Sequence, residues 1–277
     1  NDNLYKMILS MVAVEMVAEG GKPLAIIGAV FIVPSLLFSG YAGYLADTFN
    51  KRTVLIISTG LEMLPMGLSY FAFVSGQISL MLPVLFLTAF QSAIFSPAKY
   101  GILPEMLPER DLSRANGLLQ MSTFLAIVLG TAIGSAMFAR WKGQWGVISL
   151  ILMAIVLTAF LVSLRIGKVP SPSGRKPFCM NPWTEIGIGM GRLYKDKTLW
   201  LTVIGIAYFW FLGALFQMTI LLFGKEVMGL TPFWIGILVT ALACGIGLGS
   251  LAAGWLSGDE VALRLVPLGA IGMGICS

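Results

Sequence analysis

Apolar runs of near membrane-spanning length recur along almost the whole chain, and nothing else in it limits the available folds as strongly. A transmembrane helix needs about 20 apolar residues to cross the hydrocarbon. Such runs cover Leu24 to Leu45, Thr53 to Val74, Leu80 to Phe95, Leu118 to Ala139 and Val147 to Leu164. After a polar segment they resume at Leu199 to Phe223 and Phe233 to Leu256. Met7 to Ala18 and the stretch from Leu265 are too short to span alone. The reading is an all-α integral membrane protein with about seven complete spans and two cut ones. The chain opens on Asn1 and looks like a fragment of a longer protein.

Composition supports that class. Of 277 residues, 57% are hydrophobic and only 11% charged, where a soluble domain carries roughly 25%. The 32 glycines suit helices that pack closely in lipid, because small residues let backbones approach. There is no histidine, which excludes His-based acid–base chemistry, Ser-His-Asp triads and most zinc sites. No catalytic residue, metal site or cofactor is therefore expected, and the chain reads as no enzyme. Cys179, Cys244 and Cys276 are far apart and form no CxxC pair. They read as core residues, with reactive thiols as the alternative.

Cations set the orientation. One set of loops holds Lys51, Arg52, Lys99, Arg110, Arg114, Arg165, Lys168, Arg175, Lys176, Arg192, Lys195, Lys197 and Arg264. The alternate set holds Lys22, Arg140, Lys142 and Lys225, and Lys6 lies within the first run. The cation-rich side is the cytoplasm by the positive-inside rule. That bias explains the net charge of +5 without a nucleic-acid partner.

Gly167 to Thr198 is a polar connector after the sixth span. The domains expected are therefore 1–166, a six-helix bundle with a truncated first helix; 167–198, the cytoplasmic connector; and 199–277, a partial second bundle. A long middle loop is what a duplicated six-plus-six architecture requires. Ala42-Gly43-Tyr44-Leu45-Ala46 is weakly repeated as Ala253-Gly254-Trp255-Leu256-Ser257, after which the copy decays.

Between the second and third spans, Gly43, Asp47, Lys51 and Arg52 form a Gly-x-x-x-Asp-x-x-x-Lys-Arg pattern. It resembles motif A of the major facilitator superfamily, with an ordinary positively flanked turn as the alternative. Gly43 is expected to permit close packing, Asp47 to cap a neighbouring helix N-terminus, and Lys51 and Arg52 to hold the anionic surface. The resemblance implies a conformational latch of one alternating-access state. Thr48 and Asn50 stand where the family usually has a cation and a Gly, which predicts a weaker latch.

Ser96-Pro97-Ala98-Lys99-Tyr100-Gly101-Ile102-Leu103-Pro104-Glu105, with Arg114-Ala115-Asn116-Gly117 downstream, resembles the loop after span four of bacterial lysophospholipid transporters. Asp2-Asn3 resembles that family's polar spot in the first helix. The resemblance implies a flippase of the bacterial inner membrane. It would move lysophospholipids from outer to inner leaflet by alternating access, among membrane lipids. An acyltransferase or acyl-carrier-protein synthetase, fused or separate, is an implied partner. The alternative is a proton-coupled small-solute or drug exporter of the same superfamily, with Glu62 or Asp2 as proton site. A membrane acyltransferase is disfavoured by the missing histidine, and a scaffold by the charges inside spans.

Those intramembrane charges are the substrate-binding candidates, because burying them is costly. Asp2 is a candidate headgroup contact with Asn3 beside it, and an ion pair with Lys6 is the structural alternative. Glu62 sits mid-span near Pro65, suited to a cation, a proton or a helix–helix hydrogen bond. Lys99 suits a lipid phosphate, or snorkels to the interface. Gln217 is the strongly polar residue at the heart of span seven, where the resemblance leads one to expect an Arg. The aromatics around it read as packing rather than a binding cage.

Overall fold

The computed structural model describes residues 1–16, 22–167, 169, 182–229, 232–257 and 265–276. Among these residues twelve helices run in chain order: α1 (Asp2–Met16), α2 (Lys22–Thr48), α3 (Lys51–Leu61), α4 (Met63–Ser75), α5 (Ile78–Gly101), α6 (Leu103–Met106), α7 (Glu109–Trp141), α8 (Trp145–Ser163), α9 (Pro182–Lys195), α10 (Lys197–Glu226), α11 (Pro232–Leu256) and α12 (Leu265–Cys276). Among the described residues there is no strand. Among the described residues, five stretches are long and apolar enough to cross a membrane: Ala25–Thr48, Lys51–Ser75, Ile78–Met106, Glu109–Trp141 and Trp145–Ser163. The chain is thus an all-α, multi-pass membrane protein. In lipid a helix satisfies every backbone group within itself, which is why the apolar runs take this form.

Prolines interrupt the spans without ending them. Pro65 lacks the N–H that would bond the Leu61 carbonyl, and the helix breaks nearby at Glu62 between α3 and α4. Pro104 enters at the first turn of α6, just after the break at Ile102. Several expected boundaries are corrected. Ser96 to Gly101 is not loop but the end of α5, which carries Pro97 inside it. Only Phe49 and Asn50 separate α2 from α3, so Gly43 to Thr48 are helical. Helix α7 starts at Glu109, a polar extension ahead of the apolar run at Leu118. The connector read as a polar segment contains α9 and the start of α10. Residues 170–181 of it, with Cys179, lie outside the described residues, as do Glu19, Gly258, Asp259 and Arg264.

The helices group into two compact units. The first comprises Asn1–Leu107 and Leu129–Trp183, the second Pro108–Val128 and Thr184–Ser277. In the first unit α1 is central. Its Leu4, Tyr5, Ile8, Leu9 and Val12 are buried against Met66 and Phe73 of α4, Met81 and Leu85 of α5, and Ile148 and Leu152 of α8. The Tyr5 hydroxyl donates to the Met81 carbonyl at 3.1 Å, and its ring lies 5.3 Å from that of Phe73. Phe73 in turn stacks on Trp145 at 5.5 Å. Helix α1 approaches α7 closely at Gly134, where a Cβ would lie 3.0 Å from the Leu4 carbonyl oxygen. A smaller cluster of Ala46, Val54, Leu55, Ala98, Ile102 and Val169 closes the end of the unit near Lys51. Outward-facing Phe71, Leu36 and Leu150 are exposed, as a lipid-facing surface requires.

In the second unit the first part of α7 crosses α11 on small residues. A Cβ at Gly117 would lie 2.6 Å from the Ser250 carbonyl oxygen. One at Gly254 would lie 3.3 Å from both the Arg114 Cα and the Ser113 carbonyl oxygen. Phe124 stacks on Trp210 of α10 at 5.8 Å.

Candidate functional site

The turn between α2 and α3 is a junction of three polar side chains, Asn50, Lys51 and Arg52, all within the first unit. Asn50 caps α3: its side-chain oxygen accepts from the Thr53 N–H at 3.4 Å. The same side chain donates through Nδ2 to the Val169 carbonyl at 2.7 Å. Arg52 donates through Nε to the Ile166 carbonyl at 2.7 Å and through Nη2 to the Leu164 carbonyl at 3.1 Å. A guanidinium there meets the unpaired carbonyls and negative dipole end just past α8. Lys51 forms an ion pair with Glu105 of α6. The two sequence motifs singled out above are therefore joined side chain to side chain.

Gly101 makes room for that pair. A Cβ there would fall 2.8 Å from Lys51 Cε, so the lysine stem lies across the α5–α6 break. At Gly43 a Cβ would meet nothing within 4 Å among the described residues. A close approach is made at Gly101, where the lysine crosses the break. Asp47 is exposed near the end of α2.

The Lys51 and Glu105 side chains are 12% and 29% exposed, which puts the pair between surface and interior. Its coupling is about 0.5–1 kcal/mol. Reversing either charge alone, Lys51→Glu or Glu105→Lys, should lower thermal stability, and the double swap should restore most of it. Melting curves across that cycle measure the coupling, which should shrink in high salt.

A second polar constellation lies inside the first unit. Asp2 on α1 accepts a hydrogen bond from the Ser92 hydroxyl of α5. Ser92 adjoins Gln91, which is buried. Glu62, at the α3–α4 break, is 8% exposed and lies within electrostatic reach of Asp2. Its Oε1, like Asn1 Oδ1, has no hydrogen-bond partner among the described residues. Buried polar atoms are rarely left so, because each unmet hydrogen bond costs about 1–3 kcal/mol. Thr59 and Ser58, one turn before, bond back to the Leu55 carbonyl at 2.8 and 3.1 Å and satisfy themselves locally. The arrangement brings two carboxylates, a hydroxyl and two amides together in an apolar bundle, a setting that favours a positively charged group.

The other candidates lie apart from this cluster. Lys6 turns to α2, with Nζ 4.5 Å from the centre of the Phe31 ring, rather than closing a simple pair with Asp2. Asn3 lies against α7, its Cβ 3.6 Å from where a Gly130 Cβ would be. Lys99 Nζ stands 5.2 Å from the centre of the Tyr100 ring at the far end of α5. Seven residues separate it from Ser92, about 10 Å along the helix axis. Gln217 belongs to α10, and its side chain lies outside the described residues, as does that of Glu15.

Sequence reading missed Ser92 and Gln91, although a polar pair in an otherwise apolar run was a usable signal. It also missed Glu105 as the partner of Lys51, and Asn50 and Arg52 as ties to the chain beyond α8. Those pairings join residues 54 to 119 positions apart, and no local pattern announces them.

A family profile described as the Major Facilitator Superfamily matches residues 5–277. A lysophospholipid transporter LplT of Enterobacter sp. (strain 638) is 29% identical over 276 residues, covering 96% of this chain and 65% of the relative. The protein of that name from Klebsiella pneumoniae subsp. pneumoniae is 29% identical over 249 residues, covering 87% of this chain and 59% of its own length. The one from Escherichia coli O1:K1 is 28% identical over 276 residues, covering 95% and 64%. The chain thus spans less than two thirds of the length of these curated relatives.

Proposed function

The chain belongs to the major facilitator superfamily, and on that premise we propose that it is part of a lysophospholipid flippase of the bacterial inner membrane. The lipid moves from outer to inner leaflet by alternating access between two helical bundles, 1–166 and the one that begins at 199, joined by the connector 167–198. The observation that carries this reading is the buried Asp2–Ser92–Glu62 cluster with its unpartnered carboxylate oxygen. It offers an ammonium headgroup a charge-assisted site, while the surrounding apolar walls suit an acyl tail. The Ser96 to Glu105 segment and the named relatives agree with that cargo.

Roles follow residue by residue. Asp2 and Glu62 meet the ammonium, and Asn3 shapes the wall beside them. Lys99 meets the phosphate as the cavity opens to the cytoplasm, and Gln217 is a further substrate-binding residue. Gly43, Asp47, Lys51 and Arg52 form the latch. The lipid is consumed by an acyltransferase or acyl-carrier-protein synthetase, fused or separate.

A second reading has its own support in Glu62. A buried carboxylate near a second carboxylate suits a proton carrier, as a proton-coupled exporter needs. Glu62→Gln separates the two. On the lipid reading, reconstituted Glu62→Gln protein still transfers labelled lyso-lipid without a pH gradient, slowed about three- to tenfold. On the exporter reading, wild-type transport collapses with the gradient and the variant transports nothing.

A further inference from the structure

Helix α9 lies within the connector, and its sequence is organised for a boundary. On a helical projection Ile186, Met190, Leu193 and Tyr194 fall within an arc of about 100°. Arg192 and Lys195 fall on the opposite side, with Ile188 between them as the one apolar departure. Met190 is 46% exposed and Tyr194 74%, so part of the apolar stripe has no protein cover among the described residues. In water such a face is unfavourable. At a lipid boundary it is not.

The continuation fixes where this face lies. Helix α9 ends as the Asp196 N–H bonds to the Arg192 carbonyl at 3.3 Å. Asp196 is extended, and its carboxylate caps α10 by accepting from the Thr198 and Leu199 N–H groups at 3.0 and 3.1 Å. A single residue therefore separates α9 from a 30-residue helix, about 45 Å long and sufficient for a bilayer. Tyr194 and Trp200 pair edge to face at 5.6 Å across that corner. Tyr and Trp at the end of a span mark headgroup depth. Arg192, Lys195 and Lys197 surround the same corner, on the cation-rich side of the chain.

We infer that α9 lies on the cytoplasmic face of the membrane, its Met190–Tyr194 stripe in the headgroup boundary and its cations against anionic lipid headgroups. The lipid surface is the occupant because α9 is joined to a span at interface depth and carries the complementary charge. This does not depend on the cargo, so failure of lyso-lipid transport would leave it standing.

The test uses the protein from its complete reading frame, with its cysteines replaced, in vesicles of phosphatidylcholine alone or with about 30% phosphatidylglycerol. Spin labels are placed by Met190→Cys and, separately, by Lys195→Cys. In anionic vesicles the label at 190 should be relaxed by oxygen far more than by a water-soluble nickel complex, and the label at 195 the reverse. Adding Arg192→Glu to the 190-labelled protein should shift the docked fraction about fivefold or more toward water. The unsubstituted pair compared between neutral and anionic lipid gives the same contrast without a charge variant. Equal exposure of both labels to the nickel complex in anionic vesicles would overturn the proposal. So would shielding of the 190 label from both reagents, which would place α9 against protein, in another bundle or a second copy.

Discussion

Asp2→Asn should lower the rate of lysophosphatidylethanolamine transfer about 10–100-fold while leaving the amount of inserted, monodisperse protein unchanged. The substitution keeps the shape of the side chain and an acceptor for the Ser92 hydroxyl. It removes one of the two carboxylates whose charges interact near the α3–α4 break. A hydrogen bond to a charged group contributes about 1.5–3 kcal/mol, and each 1.4 kcal/mol is about tenfold in rate or affinity. The loss should be smaller for lysophosphatidylglycerol, which brings no ammonium. Ser92→Ala should cost less than Asp2→Asn, since it removes only an orienting hydroxyl. Initial rates in vesicles for the two lipids measure the difference. Equal losses for both would mean that Asp2 holds the bundle together and does not meet the headgroup.

Gly117→Val should be the most damaging single change outside that cluster. At 117 even a Cβ would sit 2.6 Å from the Ser250 carbonyl oxygen, and that neighbour is backbone that cannot rotate away. Relief requires α7 and α11 to separate, which also loosens the contact of Gly254 with the Arg114 backbone. Overpacking of this kind costs about 1–3 kcal/mol, and here the rigid neighbour places the expectation at the upper end. Gly43→Val is the control. A Cβ there meets nothing within 4 Å among the described residues, so its melting temperature should stay near that of the parent. Thermal unfolding in detergent, followed by loss of monodispersity, should show a large drop for the first variant and little for the second.

The spans were legible because the bilayer imposes one length and one solvent on them, and a run such as Val147 to Leu164 maps almost onto α8. Their polar ends were not. Helix α7 begins at Glu109 and α5 runs through Pro97, because local hydrogen bonding carries a helix past the apolar boundary. Helix α9 was missed although its four-residue spacing of Ile186, Met190 and Tyr194 was readable. A polar, Pro-rich setting concealed it. In the candidate site, the cost of an intramembrane charge was enough to single out Asp2 and Glu62 from sequence. What it does not reveal is which charges share a place. Glu62 meets α1 only because α3 and α4 break where they do, and Lys99 stays apart because α5 carries it to the other end. Gly117 stood in a recognised motif, yet its reason is a backbone more than a hundred residues downstream.

The most direct test of the account is leaflet transfer by the protein expressed from its complete reading frame and reconstituted into vesicles. Fluorescent lysophosphatidylethanolamine is loaded in one leaflet, and its arrival in the other is followed by extraction with albumin. Transfer should be at least several-fold faster than in protein-free vesicles, and slowed by Asp2→Asn. Transfer no faster than in protein-free vesicles would contradict it.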